Sequence, residues 1–450
     1  MRCLRLGFVH FNKPYDEDLR RERANAVPIP GRQTMRQGLT LPATNDALRL
    51  LAGRTVLQII PELDAGGAER TAVDIAEALV SCGARALVAS DGGRLVSELQ
   101  ARGGLWVPFP AKTKNPLKML FNIRKLAQLI RAERIDLVHA RSRAPAWVAL
   151  GAARAAGIPF VTTYHGAYSG KSALKVRYNS VMARGDLVIA NSHFTAKRIL
   201  EQHPFAQGRI RVIHRGTDPA QFSALTVDAA RVRRLREQWE VAPDERIVLL
   251  AARLTEWKGQ RVLIDAAKIL RDQGTTGIKY ILAGDPQGRS NYVRELDAAI
   301  SAAGLDGVVQ RVGHCADMPA AMMTASAITV CSTEPEAFGR VATEAQFLGK
   351  PVIVTDIGAA PETVLSPPEV APSERTGWKV PPGDPLALSQ ALRTVLSLGA
   401  SDIDRLARQA RAHVERNFSL AHMCTETLQI YSELIAPGET RAISDPAGTY

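Results

Sequence analysis

Short apolar runs rich in β-branched residues alternate along this chain with longer stretches of helical periodicity, and the alternation occurs twice. From Thr55 onward, Val56–Ile60, Ala86–Ala89, Trp106–Phe109, Leu137–Ala140, Phe160–Tyr164 and Leu187–Ala190 read as buried strands. Helical stretches lie between and after them: Ala68–Val80, Arg94–Arg102, Pro116–Arg134, Ala144–Ala155 and Thr195–Glu201. The pattern pauses over 216–245. It restarts at Ile247–Leu250 and continues through Lys279–Leu282, Val308–Val312, Ala327–Cys331, Pro351–Val354 and Trp378–Val380. Apolar strands alternating with helices form parallel sheets covered on both faces. The reading is two consecutive α/β domains, 55–215 and 246–418, joined by a connector at 216–245. Residues 1–54, proline-rich and without sustained periodicity, read as a mobile extension. A helix at 419–435 and a polar tail at 436–450 close the chain.

No apolar run approaches the ~18 residues of a membrane span. The five cysteines stand singly, with no C-x-x-C pair, so a disulfide framework or zinc site is not expected and a reducing, cytoplasmic setting is. The formal net charge of +12 is unevenly distributed. Residues 101–200 carry 17 basic groups against 3 acidic ones, whereas 216–450 carry 24 against 29. An anionic partner is therefore expected at the first domain. No basic stripe interleaved with aromatics occurs, so nucleic acid is not the expected partner.

In open α/β sheets ligands bind beyond the carboxyl ends of strands. Four segments stand there. After Ala327–Cys331 comes Glu336-Ala337-Phe338-Gly339-Arg340-Val341-Ala342-Thr343-Glu344. Gly339 permits close backbone approach at a helix start, where unpaired N–H groups suit a phosphate. Glu344 is placed to accept from ribose hydroxyls and Glu336 from a sugar hydroxyl; as two glutamates alone they read equally well as surface groups. After Ile247–Leu250, Arg253 and Lys258 stand five residues apart, enough to neutralise a diphosphate. After the first strand, Gly66-Gly67 opens a helix; this is neither a G-x-G-x-x-G nor a G-x(4)-G-K-[ST] motif. His165 ends the strand Phe160–Tyr164, a position where a lone histidine is more often structural than catalytic.

Together these segments resemble glycosyltransferase family 4, over roughly Val56 to Leu434. The resemblance implies a GT-B fold, in which two Rossmann-like parallel-sheet domains face each other across a cleft. It implies a retaining hexosyltransferase that uses a nucleotide sugar, UDP- or GDP-linked, as a substrate and needs no cofactor or metal. Residue by residue, it implies that Glu336 and His165 act at the transferred sugar. It implies that Arg253, Lys258, Glu344, Phe338 and Gly339 hold the donor, with Gly66 and Gly67 in the glycine-rich loop of the first, acceptor-side domain. Asn191-Ser192 matches a structural step of the family. Arg215-Gly216-Thr217-Asp218 departs from the family's N-G-V-D, and the closing helix is expected to cross back onto the first domain.

One helix carries much of the basic excess. Leu120, Ile123, Ala127 and Ile130 are expected to form its core face, while Lys112, Lys114, Lys118, Arg124, Lys125 and Arg131 face solvent or an anionic membrane surface. The acceptor is then a glycan or glycolipid, lipid-linked or of the cell envelope, such as a lipopolysaccharide core. The protein is expected in the cytoplasm, peripheral on the inner face of its membrane. The competing reading is a non-catalytic shell of the same fold that binds membrane surfaces through its basic face.

Overall fold

The structure, a computed structural model, describes residues 46–64, 66–166 and 172–437. The extension up to residue 45 and the tail from 438 lie outside the described residues. The first sheet has seven strands: β1 (Thr55–Ile59), β2 (Arg85–Ser90), β3 (Leu105–Pro108), β4 (Leu137–Ala140), β5 (Phe160–Tyr164), β6 (Leu187–Ala190) and β7 (Ile210–Val212). The second has six: β8 (Arg246–Ala251), β9 (Ile278–Ala283), β10 (Val309–Gly313), β11 (Ala327–Val330), β12 (Val352–Thr355) and β13 (Trp378–Val380). Their orders are β3-β2-β1-β4-β5-β6-β7 and β10-β9-β8-β11-β12-β13, with every pairing parallel. The two sheets form the two Rossmann-like halves that the alternation requires. Strand order reverses between β1 and β4 in one sheet and between β8 and β11 in the other. Such switch points open crevices at the carboxyl ends of their strands.

The helices used below are α1 (Gly67–Ser81), α2 (Pro116–Ala132), α3 (His193–Gln202), α4 (Gln260–Asp272), α5 (Arg340–Phe347) and α6 (Leu420–Ile435). The α6 helix leaves the second domain and packs into the core of the first. Leu420, Met423, Cys424, Leu428 and Tyr431 join Val56, Ile75 and Leu79 there. Each such large side chain contributes about 1.5–3 kcal/mol when fully buried. The chain crosses between domains twice, and the two crossings are paired: Thr217 N–H donates to Phe418 O (2.7 Å) and Leu420 N–H to Thr217 O (3.0 Å).

Two boundaries and one strand differ from the sequence reading. Residues 46–54 are not part of an extension, because Leu48 and Leu51 are buried in the first core beside α1. The stretch 216–245 is not a separate connector: Phe222, Leu235 and Trp239 bury their side chains in the core of the second domain. A charged, helix-prone composition hid these three anchors. β7 was not anticipated, being only three residues with a central arginine.

The core face of α2 also differs. Asn122, Leu126, Ala127 and Ile130 are buried, whereas Leu120 is 58% exposed and stands with Leu117 (80%) and Phe121 (68%). Asn115 caps the helix, its side chain accepting from Leu117 N and Lys118 N, and Pro116 fixes the first turn. Asn122 then turns inward to donate to Pro110 O, which rotates Leu120 away from the core.

Candidate active site

The carboxyl ends of both sheets meet at a cavity of about 370 Å³. Gly67, His165, Asn191 and Arg215 line it from the first domain. Arg253, Lys258, Glu336, Phe338, Gly339 and Arg340 line it from the second. Seven residues expected at the site from sequence, Gly67, His165, Arg253, Lys258, Glu336, Phe338 and Gly339, are therefore brought together from four loops.

The second-domain wall is built around β8 and β11. Lys258 sits in a short 3-10 turn ended by Gly259, whose φ of +71° only glycine adopts without strain. A Cβ on Gly259 would overlap the carbonyl oxygen of Cys331. That close approach brings Lys258 Nζ to 2.7 Å from Glu336 Oε1. Ser332 Oγ donates to the same oxygen. Burial lowers the pKa of Lys258, Glu336 opposes that shift, and Arg253 adds to it. The ammonium also lies 4.3 Å from the Trp257 ring centroid. Arg253 Nη1 lies 3.5 Å from Gln287 Oε1 at the rim.

Gly339 (φ +115°) starts α5, and its neighbour Arg340 lines the cavity. Glu344 does not line it. Only 7% exposed, it lies one turn deeper and accepts from Arg340 Nη2 at 2.8 Å. Burial raises its pKa, and Arg340 partly reverses this. Any contact of Glu344 with a ligand in this cavity is thus made beside Arg340, a residue the sequence reading passed over although it stands inside the motif.

On the first-domain wall, Gly67 opens α1. Arg215 Nη1 lies 2.5 Å from the position its Cβ would take, and Arg340 Nη1 lies 3.4 Å from it. Gly66 stands outside the lining; its missing Cβ makes room for the Glu69 carboxylate. His165 Nδ1 accepts from Arg215 Nη2 (3.0 Å), which also reaches His165 O (3.3 Å). Burial, then Arg215, Arg141 and His139, hold the pKa of His165 well below its ordinary value. The imidazole is neutral and therefore unsuited to act as a cation. His139 beneath it is buried between Tyr431 of α6 (2.6 Å) and Thr163 (2.7 Å). The closing helix thereby packs behind the first-domain wall without lining the cavity.

The Asn191-Ser192 step links the domains. Ser192 Oγ donates to Ala337 O (2.8 Å), inside the Glu336–Gly339 loop. Glu362 of the second domain accepts from the α3 amides of His193 (2.8 Å) and Phe194 (2.6 Å). His214 Nε2 lies 3.4 Å from the same carboxylate. Burial pushes the Glu362 pKa up, but His214 and the two amides outweigh it and the net shift is downward. His193, His214 and Glu362 form the one cluster of metal-ligand types among the described residues. Both Glu362 oxygens are taken up by the first two amides of α3, beside the N-cap Ser192, which accepts from Thr195 N. Sequence separation, 169 residues from His193 to Glu362, concealed this contact.

The basic face on α2 is less uniform than its composition suggests. Lys112 is ion-paired with Glu62, and Lys125 lies over the Phe109 ring at 5.8 Å. Lys114, Lys118, Arg124 and Arg131 remain at the surface around Leu117, Leu120 and Phe121.

A sequence model described as Glycosyltransferase Family 4 matches residues 65–221, and one described as Glycosyl transferases group 1 matches 232–413. A solved glycosyltransferase from Rickettsia africae is 32% identical and superposes with a TM-score of 0.78, covering 85% of this chain and 99% of its own. HepE from Anabaena, solved with UDP and glucose, is 28% identical, with a TM-score of 0.72 over 85% of this chain and 100% of its own. Among curated proteins, D-inositol 3-phosphate glycosyltransferase of Salinispora tropica is 29% identical over 70% of this chain and 68% of its own. The match to the like-named protein of Mycolicibacterium gilvum spans about half of that relative's length (54%). WaaG, a glycosyltransferase of lipopolysaccharide biosynthesis, shares the fold at 15% identity with a TM-score of 0.61, over 85% of this chain and 100% of its own.

Proposed function

Because this chain belongs to glycosyltransferase family 4 and has the GT-B fold, we propose that it moves a hexose-type sugar from a UDP- or GDP-sugar, with retention of configuration, to a lipid-linked or cell-envelope glycan. The observation that supports this reading is the Lys258–Glu336 pair, a cation and a carboxylate in contact within the interdomain cavity, which we read as a diphosphate contact beside a sugar contact.

In the proposed reaction the acceptor oxygen forms a bond to the anomeric carbon as the bond to the leaving phosphate oxygen breaks, on the same face. The leaving oxygen takes the acceptor proton, so no side chain serves as nucleophile. Arg253, Lys258 and the backbone amides at the start of α5 meet the charge of the leaving diphosphate. On that ground we take the reaction to be metal-independent. Glu336 orients the sugar, and Glu344, held by Arg340, orients the ribose. Solved complexes of HepE with UDP-glucose make that donor the first to test.

The acceptor proposal rests on the exposed Leu117, Leu120 and Phe121 set among Lys114, Lys118 and Arg124. Apolar groups rimmed by cations suit an anionic bilayer, at roughly 1 kcal/mol per basic residue near the surface. These groups support our proposal that the protein works on the inner face of the cytoplasmic membrane. A second reading, a small phosphorylated polyol acceptor, is favoured by the names of the curated relatives. The deciding experiment has two arms. Protection against heat by UDP-, GDP- and ADP-sugars identifies the donor; failure of all three rejects the transferase reading. Co-sedimentation with anionic and neutral vesicles tests the acceptor surface; equal binding to both, or none, rejects the lipid-linked acceptor.

A further inference from the structure

His193 opens α3, His214 follows β7, and Glu362 stands in a 3-10 turn (Ala360–Thr363) of the second domain. One ring nitrogen of each histidine and one carboxylate oxygen lie within 4.8 Å of one another. The two rings meet edge to face, 5.6 Å between centroids. None of the three residues lines the interdomain cavity. Behind them, His214 packs against Phe338 (6.0 Å) and Phe418 (5.1 Å).

The spacing suits a metal ion better than a hydrogen bond. His214 Nε2 lies 3.4 Å from Glu362 Oε2, long for a hydrogen bond to a carboxylate. It matches the edge of a tetrahedron, because ligands ~2.1 Å from a zinc ion stand about 3.4 Å apart. Glu362 is also oriented as a metal-binding carboxylate is. Its Oε2 accepts from His193 N (2.8 Å) and its Oε1 from Phe194 N (2.6 Å). Each carboxylate oxygen keeps a second lone pair, and bonds of this kind fix a ligand's direction. His193 is exposed and free to turn inward, which gives an ion an entry path and leaves a fourth position to water. Two imidazoles and a carboxylate are the donor set of zinc and its transition-metal neighbours. Magnesium and calcium take oxygen ligands instead.

We propose that His193, His214 and Glu362 bind one zinc-type divalent ion that crosslinks the two domains beside the paired chain crossings. Both histidines come from the first domain and the carboxylate from the second. Phe418, whose carbonyl accepts from Thr217 N–H at the crossings, packs against His214. An ion held there clamps the domains from outside the cavity and takes no part in the transfer chemistry. The inference stands apart from the transferase reading, because its ligands and its readouts lie outside the cavity.

Titration of the metal-free, full-length protein with Co²⁺ reads the site directly, since cobalt in a four- or five-coordinate site absorbs visible light far more strongly than the aqueous ion. One bound ion per chain is expected, displaced by Zn²⁺ and indifferent to excess Mg²⁺. His193→Ala and His214→Ala should each weaken binding about 10-fold or more. His422→Ala, which removes a separate His–Glu pair on α6, should leave it unchanged. Absence of a bound ion, histidine variants that bind like the wild type, or loss of binding in His422→Ala overturns the site. The clamp is read at the amides of positions 193 and 194. As the first amides of a helix they have no partner within it, so they depend on Glu362 across the domain boundary. Their hydrogen exchange should slow about 10-fold or more with Zn²⁺ in the wild type and not in His193→Ala. Unchanged exchange with the ion bound overturns the crosslink.

Discussion

Glu336→Gln is expected to tighten binding of the nucleoside diphosphate while abolishing transfer. Lys258 Nζ stands 2.7 Å from Glu336 Oε1, and the two side chains are 15% and 14% exposed. At an effective dielectric of ~20 the gross attraction at that distance is about 6 kcal/mol. Desolvation and residual solvent contact leave a net coupling of about 1–2 kcal/mol. A diphosphate that recruits Lys258 must overcome that coupling. Glutamine keeps the shape and can still accept from Ser332, but it releases the ammonium. The gain in affinity for free nucleoside diphosphate is then about 5–30-fold. Transfer loses the carboxylate proposed to orient the sugar, with an expected drop of about 100-fold or more in kcat. Titration calorimetry with UDP, GDP and ADP measures the first quantity, and turnover of the matching nucleotide sugar measures the second. Adding Lys258→Met should erase the gain in affinity. Equal or weaker nucleotide binding by the glutamine variant would refute the reasoning, since the pair would then exert no restraint.

Asp74 is buried beside Arg102 (3.1 Å), and burial raises its pKa to about 6. Stability linked to this group is fully present below the unfolded value near 3.8 and is lost as pH rises through 6. The span is about 3 kcal/mol, read as a difference in pH slope between wild type and Asp74→Asn in urea titrations; parallel slopes would count against it. Glu362→Ala should lower stability by about 1–2 kcal/mol at pH 7 by freeing the first two amides of α3. Because the folded pKa of Glu362 is depressed, the gap between variant and wild type should be present above the ordinary glutamate pKa and close as pH falls through the lower folded value. Gly259→Ala places a Cβ on the carbonyl of Cys331 at positive φ, and should cost about 3 kcal/mol or more in denaturation, with loss of nucleotide protection.

Strands were legible because a strand buried on both faces is almost wholly apolar, as Val56–Ile60 (all apolar but Gln58) and Ala327–Cys331 (all apolar but Thr329) show. The loops after the switch strands were legible too, since Arg253, Lys258 and Glu336 lie close to strand ends where ligands bind. Other features depended on pairings across long sequence distances. Arg215 meets His165 from 50 residues away, and Glu362 accepts from the first two amides of a helix in the other domain. Nothing local in the sequence encodes either contact. Leu120 fits helical periodicity with Ile123 and Ala127, and only the inward turn of Asn122 shows that the buried face lies elsewhere. Lys112 counts as a surface cation in composition and is neutralised by Glu62 in space. Residues 46–54 read as part of the extension because three leucines, Leu48, Leu50 and Leu51, are too few to display a period.

The pairing of the two chain crossings has a mechanical consequence. Thr217 is hydrogen-bonded to Phe418 and Leu420, and a side chain on Gly216 would collide with Leu420. Two tethers stitched together at a single point remove sliding and separation as modes of opening and leave rotation about that point as the softest one. Distance from the pivot then sets how far each group travels. Arg215, two residues from Thr217, moves least. The seam thus works as a door hinge, with Arg215 on the jamb and Arg253 and Lys258 on the leaf.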